Sequence, residues 1–536
     1  MSDPEKLRPQ QDSNDRSVTR TPEAVSTPVP TKEVTKDTQT PSSSSESEEE
    51  YKVTLDDSKD PQNCSTFRKW VVVFIISSCA LCVTCASSAA SFTENGVAAE
   101  FGVSHEITIL AISLFVEGMG LGPLLAGPLS EVYGRNAVYR VSFVLLFAFS
   151  FAVAFAPNVA VYLVFRFLCG FCGSTFLSVA GGTVSDLFDN DHVGNPMAIY
   201  TISPFIGPVA GPLISGFINQ NLDWRWTYHI LIMWTFAQTV ALFLLVPETF
   251  VPVILSRKAA RMRKQTGNDA WWAPLDRANK NLGQAILVSC YKPFQLMLYD
   301  QMALLLNLWT SLILGILYLA FQAFPIIFTL GHGFNTQQTG MSFLGIGLGM
   351  ILALGTQGYW NGLMRRETKK AEKQGVHDAP PEARLYMGEV GGILVPLGLL
   401  ILALLTPYPI PWPLPIVLGS VIFGAGIYFC FTSTFTYLVV AYRPIAASAM
   451  ASNSAMRSTF AAVFPLFAGF LYGGDDDGGI MRGQLAGNGG WGRIGNGLGT
   501  VGATGMLAAI MAVAAPLPFI FRRIGARLRA KSRFAV

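Results

Sequence analysis

An all-α membrane protein is the fold class this sequence predicts, and three observations carry the prediction: the composition, a series of apolar stretches near twenty residues long, and the placement of Lys and Arg between them. The 536 residues are 51% hydrophobic and 14% charged, against about a quarter charged in an ordinary soluble protein. Acids and bases nearly cancel at net +3, which gives no reason to expect a nucleic-acid partner.

Residues 1–60 are rich in Ser, Thr, Pro, Glu and Lys, include SSSSESEEE, and lack the apolar residues that would offset the entropy of ordering. They are expected to form a disordered cytoplasmic tail. The tail has no apolar core near Met1, so it does not read as a secretory signal, and the first span is expected to direct insertion.

From Trp70 onward twelve stretches approach the roughly twenty residues that cross a bilayer as helix. They fall near 70–92, 107–129, 136–156, 159–184, 196–218, 226–246, 302–328, 338–361, 388–407, 413–439, 445–472 and 496–521. The long break after the sixth divides the chain into a six-helix half at 61–246, a central cytoplasmic loop at 247–300, a second half at 301–521 and a basic tail at 522–536. Two six-helix halves are therefore expected.

Lys and Arg test the arrangement, because cytoplasmic connections carry the positive excess. With both termini inside, the inner connections and flanks hold 25 of these residues and the outer ones hold 3. A wrong span count would scramble that alternation. Eight cysteines in a chain of this length do not resemble a secreted disulfide framework. Cys169 and Cys172 form a CxxC inside an apolar span, without the His or acid cluster a metal would need. Neither metal nor cofactor is expected. The chain contains no GxxxxGK[ST] phosphate loop, no HExxH and no GxSxG, so nothing supports an ATP-driven pump, a hydrolase or any other enzyme.

Three places carry candidate chemistry. Between spans 2 and 3 stands GPLSEVYGRN, residues Gly127 to Asn136. Its glycines permit close helix approach, Glu131 can pair with Arg135 or a helix N-terminus, and such a polar joint can act as a latch that breaks when helices part. A static turn is the alternative. In span 5, Pro204, Pro208 and Pro212 recur every four residues with Gly207 and Gly211 beside them. The carbonyls of Tyr200, Pro204 and Pro208 lose their intrahelical partners, so this face must bend and be buried against another helix. Ionisable groups inside the spans are the third place, since each costs about 2.5–3.5 kcal/mol at a helix centre on insertion scales. Glu117 lies ten residues into span 2, about 15 Å of rise, where a carboxyl is suited to carrying a proton. Arg166 in span 4 and Arg457 in span 11 supply fixed charge, to tune a neighbouring carboxyl, hold an anionic solute or bond backbone carbonyls.

At these residues the chain resembles a known family. Gly127, Leu129, Ser130, Glu131, Gly134 and Arg135 are similar to the G-x-L-[AS]-[DE]-x-x-G-R loop of the major facilitator superfamily, with Val132 and Asn136 where basic residues are common. SPFIGPVAGPLISGF in span 5 resembles its antiporter signature, and FRFLCGFCG around Arg166 resembles the span 4 motif of drug:proton antiporters. VPETF, ASAMASNSAMRSTFAAVFPLF and IGARLRAKSRFA resemble the fungal twelve-span branch. The resemblance implies the major facilitator fold, alternating access, and a monomer in the plasma membrane that exports a small organic molecule in exchange for protons. It implies a gating role for Gly127, Ser130, Glu131, Gly134 and Arg135, and a seal at Pro204, Gly207, Pro208, Gly211 and Pro212. Proton coupling would fall to Glu117 with Arg166.

Span 7 adds Tyr318, Phe321 and Gln322 to the expected substrate cavity, with Arg457. The fungal branch often has a glutamate where Gln322 stands, so the lining suits a bulky, weakly charged, amphipathic solute. A proton-coupled nutrient or polyamine transporter of the same fold is the competing expectation.

Overall fold

The computed structural model of the chain describes residues 51–55, 60–189, 192–277, 282–373, 380–407, 416–473 and 498–532. Among the described residues twelve helices are long and apolar enough to cross a membrane. Spans 1 to 6 are Thr66–Phe92, His105–Tyr133, Arg135–Ala154, Val159–Leu187, Gly194–Asn221 and Arg225–Leu245. Spans 7 to 12 are Gln301–Leu330, Thr336–Gly355, Pro381–Leu405, Leu418–Ala441, Ala446–Tyr472 and Gly499–Ala530. No strand occurs among the described residues; a lone bridge pairs Lys52 with Trp272.

The two halves repeat one packing plan. In the first, span 1 packs on span 5, span 2 on span 4 and span 3 on span 6; in the second, span 7 packs on 11, 8 on 10 and 9 on 12. The halves meet through two further pairs, span 2 with span 11 and span 5 with span 8, which exchange under the same repeat. An even number of spans puts the segments flanking spans 1 and 12 on one face, the termini face; the opposite one is the far face.

Several helices are interrupted where their residues demand it. Span 7 widens into a π-type turn at Pro325–Leu330 and span 11 tightens to a 3-10 turn at Phe464–Phe467, because Pro325 and Pro465 each withhold a backbone donor. Span 4 breaks after Gly173 at Ser174, a Gly–Ser pair of the kind that bends helices without proline. Span 5 tolerates three prolines, and the Ser203 hydroxyl donates to Tyr200 O at 2.8 Å, satisfying one carbonyl left without its helical partner.

Some boundaries differ from those the hydropathy suggests. Span 9 begins at Pro381 instead of near 388, and the helix of span 12 runs through most of the expected basic tail, to Ala530. Ion pairs explain both extensions: Arg522 Nε lies 2.9 Å from Glu389 Oε1, and Arg529 reaches both oxygens of Glu382 at 2.8 and 3.1 Å. Charged residues that hydropathy assigns to water are here tied helix to helix. Span 8 ends at Gly355, short of 361, and a separate helix, Gln357–Lys373, carries its polar continuation. Among the described residues of the stretch 247–300 are two long helices, Val251–Thr266 and Leu282–Tyr299, and a single turn of helix at Pro274–Arg277. Residues 52–55, expected to belong to the unstructured tail, dock there: Val53 N–H donates to Trp272 O at 3.0 Å, and the Val53 side chain is buried with Ala259 and Ala273. Residues 1–50 lie outside the described residues.

Candidate transport site at the seam of the two halves

The turn between spans 2 and 3 is built around a glycine with φ of 97° at Gly134, a left-handed geometry that strains any other residue. Its backbone lies against Glu248, whose carboxyl carbon would sit 2.7 Å from a Cβ at that position. Glu248 Oε1 accepts the Arg135 backbone N–H at 2.9 Å. The Arg135 side chain meets Asp186 at 3.4 Å, donates to Ser130 Oγ at 2.7 Å and lies over the Phe250 ring at 4.7 Å. The acids at this arginine therefore come from the ends of spans 4 and 6, while Glu131 is exposed. This network ties spans 2, 3, 4 and 6 within the first half. A Cβ on Gly127 would meet nothing within 4 Å.

The proline and glycine face of span 5 lies on span 1. A Cβ at Gly207 would collide with Thr84 and come within 2.9 Å of Cys85 N, and one at Gly211 would collide with Ser88 and come within 2.7 Å of Cys85 O. Pro208 and Pro212 are buried and Pro204 half-buried. Farther along, Gly216 backs onto Gly340 of span 8, and Gln220 Oε1 accepts from Thr336 N at 3.0 Å. Span 5 thus joins its own half and touches the other at the far face.

Glu117 and Arg166 are not brought together. Arg166, 2% exposed, donates to the carbonyls of Ala111 at 3.0 Å, Ala86 at 3.0 Å and Ser87 at 3.2 Å, and lies over the Phe115 ring at 4.4 Å. It staples spans 1, 2 and 4. Glu117 instead faces span 11 across the seam, where Thr459 Oγ1 lies 3.4 Å from its Oε1. Arg457 is the opposite of Arg166. It lies over Phe431 at 5.3 Å and Phe435 at 4.8 Å of span 10, while its buried Nε has no hydrogen-bond partner among the described residues.

Tyr318, Phe321 and Gln322 are all buried in this state. Phe321 packs against Phe343 of span 8, and Tyr318 shares a 2.9 Å hydrogen bond with Ser87 of span 1. Gln322 Nε2 donates to Glu94 Oε1 at 2.6 Å. Glu94, 4% exposed, is the acid that sequence reasoning missed. It follows span 1 at the start of a short helix, Glu94–Phe101, and its other oxygen lies 3.5 Å from His105 Nε2. Loss of water from around this carboxyl pushes its pKa up to about 8, against a smaller opposing effect of the Gln322 bond. Span 7 thus carries an amide at this point, and the acid it meets stands on the facing half.

Comparison with known proteins decides the family. The model of the Major Facilitator Superfamily matches residues 76–465. The chain belongs to the major facilitator superfamily. Among its curated relatives in that superfamily is Efflux pump atB of Aspergillus terreus, 40% identical over 90% of this chain and 88% of that protein. Another is the Probable drug/proton antiporter YHK8 of Saccharomyces cerevisiae, 36% identical over 90% of this chain and 89% of that one. Solved structures share the fold at low identity. The xylose transporter XylE from E. coli in a partially occluded inward open conformation gives a TM-score of 0.55 at 14% identity, covering 84% of this chain and 99% of its own. The human organic anion transporter MFSD10 gives 0.53 at 14%, covering 84% and 99%.

Proposed function

We propose that the protein is a proton-coupled exporter of small organic molecules, working by alternating access between its two halves with both termini in the cytoplasm. One observation carries the reading: an ionisable carboxyl, Glu117, stands at mid-span on the seam between spans 2 and 11, hydrogen-bonded across it to Thr459. A charge at that depth is costly, which makes an ionisable residue there a functional site by default. Naming of relatives as efflux pumps and as a drug/proton antiporter supports export over uptake, and the Lys and Arg distribution supports the orientation.

In this reading Glu117 carries the coupling proton and Arg457, facing aromatic rings, supplies a fixed positive charge in the substrate cavity. Competition between proton and solute for the site yields exchange, because each favours a different state. Arg166 acts by holding spans 1, 2 and 4 in register. Gly127, Ser130, Glu131, Gly134 and Arg135 set the geometry of the termini face, and the span 5 face seals span 1 against leak. The protein works as a monomer in the plasma membrane.

The test is uptake into inverted vesicles of a panel of amphipathic probes, rhodamine 6G among them, with and without an imposed pH gradient. Accumulation that collapses when a protonophore removes the gradient is the expected result. Accumulation of probe in the direction of proton flow would establish a symporter and overturn the proposal.

A further inference from the structure

Glu94 is a buried acid at the place where the two halves close the far face. Its short helix is held firmly: Glu100 on the same helix accepts from Trp224 Nε1 at 2.9 Å and from Arg225 Nε at 3.2 Å, both at the start of span 6, and a Cβ on Gly96 would collide with Trp224. The preceding residue, Thr93, shares a 3.2 Å hydrogen bond with the Tyr228 hydroxyl. Glu94 therefore belongs rigidly to the first half. The 2.6 Å hydrogen bond its side chain accepts, from Gln322, comes from the second. Separation of the halves at this face must remove Gln322 and admit water to the carboxyl.

We propose that Glu94 is a proton-binding site, filled from the far face, whose occupancy allows that face to seal. This rests on the alternating-access reading above and adds a second titrating group, distinct from Glu117. The physical reason is desolvation. A carboxylate surrounded by water pays heavily to enter the closed seam, whereas the neutral acid enters at the cost of an ordinary polar group and can still accept from the Gln322 amide. His105 of span 2 and Gln322 of span 7 meet the carboxyl, Tyr228 of span 6 bonds the preceding Thr93, Glu106 beside His105 is exposed, and Glu100 is engaged with Arg225. Of these, His105 also changes charge at moderate pH, and it needs a control.

The direction of the effect follows from linkage. An acid that holds its proton more tightly in the sealed state favours sealing as pH falls, from about 8 down to the ordinary glutamate value of about 4.3 in water. Within that window the sealed-to-open ratio rises about tenfold per pH unit. Acid on the far face thus returns the emptied transporter to the state described here, the direction an exporter driven by external protons requires.

The experiment uses the full chain in lipid nanodiscs, with spin labels at Asn221, the last residue of span 5, and Gln337 in span 8, and distances measured from pH 5 to 9. The wild type should shift toward the short distance as pH falls. Glu94→Gln should remain short throughout, Gln322→Glu should move the midpoint to higher pH, and the double variant Glu94→Gln with Gln322→Glu should recover a titration. His105→Asn should leave the wild-type trend in place. An unchanged pH dependence in Glu94→Gln, or its loss in His105→Asn alone, overturns the proposal. Vesicle transport separates this from the function: proton-driven accumulation with a pH-insensitive far face sinks Glu94 only, and a titrating face without proton-driven flux sinks the exporter reading only.

Discussion

Replacing Gly207 by alanine adds one methyl group where spans 1 and 5 touch. That methyl would lie 2.9 Å from the Cys85 backbone nitrogen and collide with the Thr84 side chain. The Thr84 hydroxyl, which donates to Ala80 O at 2.9 Å, must swing away, and the backbones must part by roughly half an ångström to regain ordinary contact. Overpacking of this kind costs about 1–3 kcal/mol. It exceeds the gain of roughly 0.5–1 kcal/mol that alanine brings over glycine within a helix. The control is Gly505→Ala in span 12, whose new methyl meets nothing within 4 Å and collects only the gain. Melting of the purified protein in nanodiscs, with proton leak through vesicles, reads the difference. Gly207→Ala should melt lower and leak, and Gly505→Ala should melt the same or slightly higher. If both variants melt alike with tight vesicles, the span 1 and span 5 contact is not a seal, and the close approach has no functional weight.

Three further outcomes follow from the geometry. Arg135→Ala removes the links to Asp186 and Ser130 and should cut export severalfold while surface delivery stays near wild type, as measured by vesicle flux against immunoblot abundance. Glu117→Gln should keep downhill exchange and lose accumulation driven by a pH gradient; full gradient-driven accumulation at equal abundance would assign the proton elsewhere. Asn453 donates to Asn307 at 2.9 Å and to Thr310 at 2.8 Å in a buried layer between spans 7 and 11. Asn453→Ala leaves those acceptors without that donor and should cost about 1–3 kcal/mol, read as a lower melting temperature.

The membrane fold was legible because hydropathy and charge report directly on the bilayer, and neither depends on long-range contacts. Helix ends were not, wherever a charge that hydropathy assigns to water is neutralised by another helix: Arg522 with Glu389 and Arg529 with Glu382 extend spans 9 and 12 beyond their apolar windows. The loop motif between spans 2 and 3 singled out Arg135, but the acids it meets stand more than fifty residues away in sequence, at Asp186 and Glu248. Spacing within the motif offers only Glu131, for Arg135 or for a helix N-terminus, and cannot show acids so distant in the chain. Glu94 escaped for a similar reason. It lies just past the apolar stretch, where a polar residue is ordinarily solvated, and only the fold covers it with span 7. The two arginines show how depth along a helix differs from environment: Arg166 and Arg457 both lie inside spans, yet one is saturated by carbonyls and the other faces aromatic rings.

The Arg166 staple also bears on how the chain is made. Its three acceptors belong to spans 1 and 2, which are synthesised before span 4. An arginine within an isolated helix opposes insertion, by up to about 2.5–3.5 kcal/mol at the centre. When span 4 leaves the ribosome, however, the carbonyls of Ala86, Ser87 and Ala111 are already in the bilayer to receive it. Order of synthesis and order of bonding therefore agree, since every acceptor of the guanidinium precedes it in the chain. A first half whose fourth helix inserts less well when spans 1 and 2 are absent is the expected consequence, with the guanidinium as the group responsible.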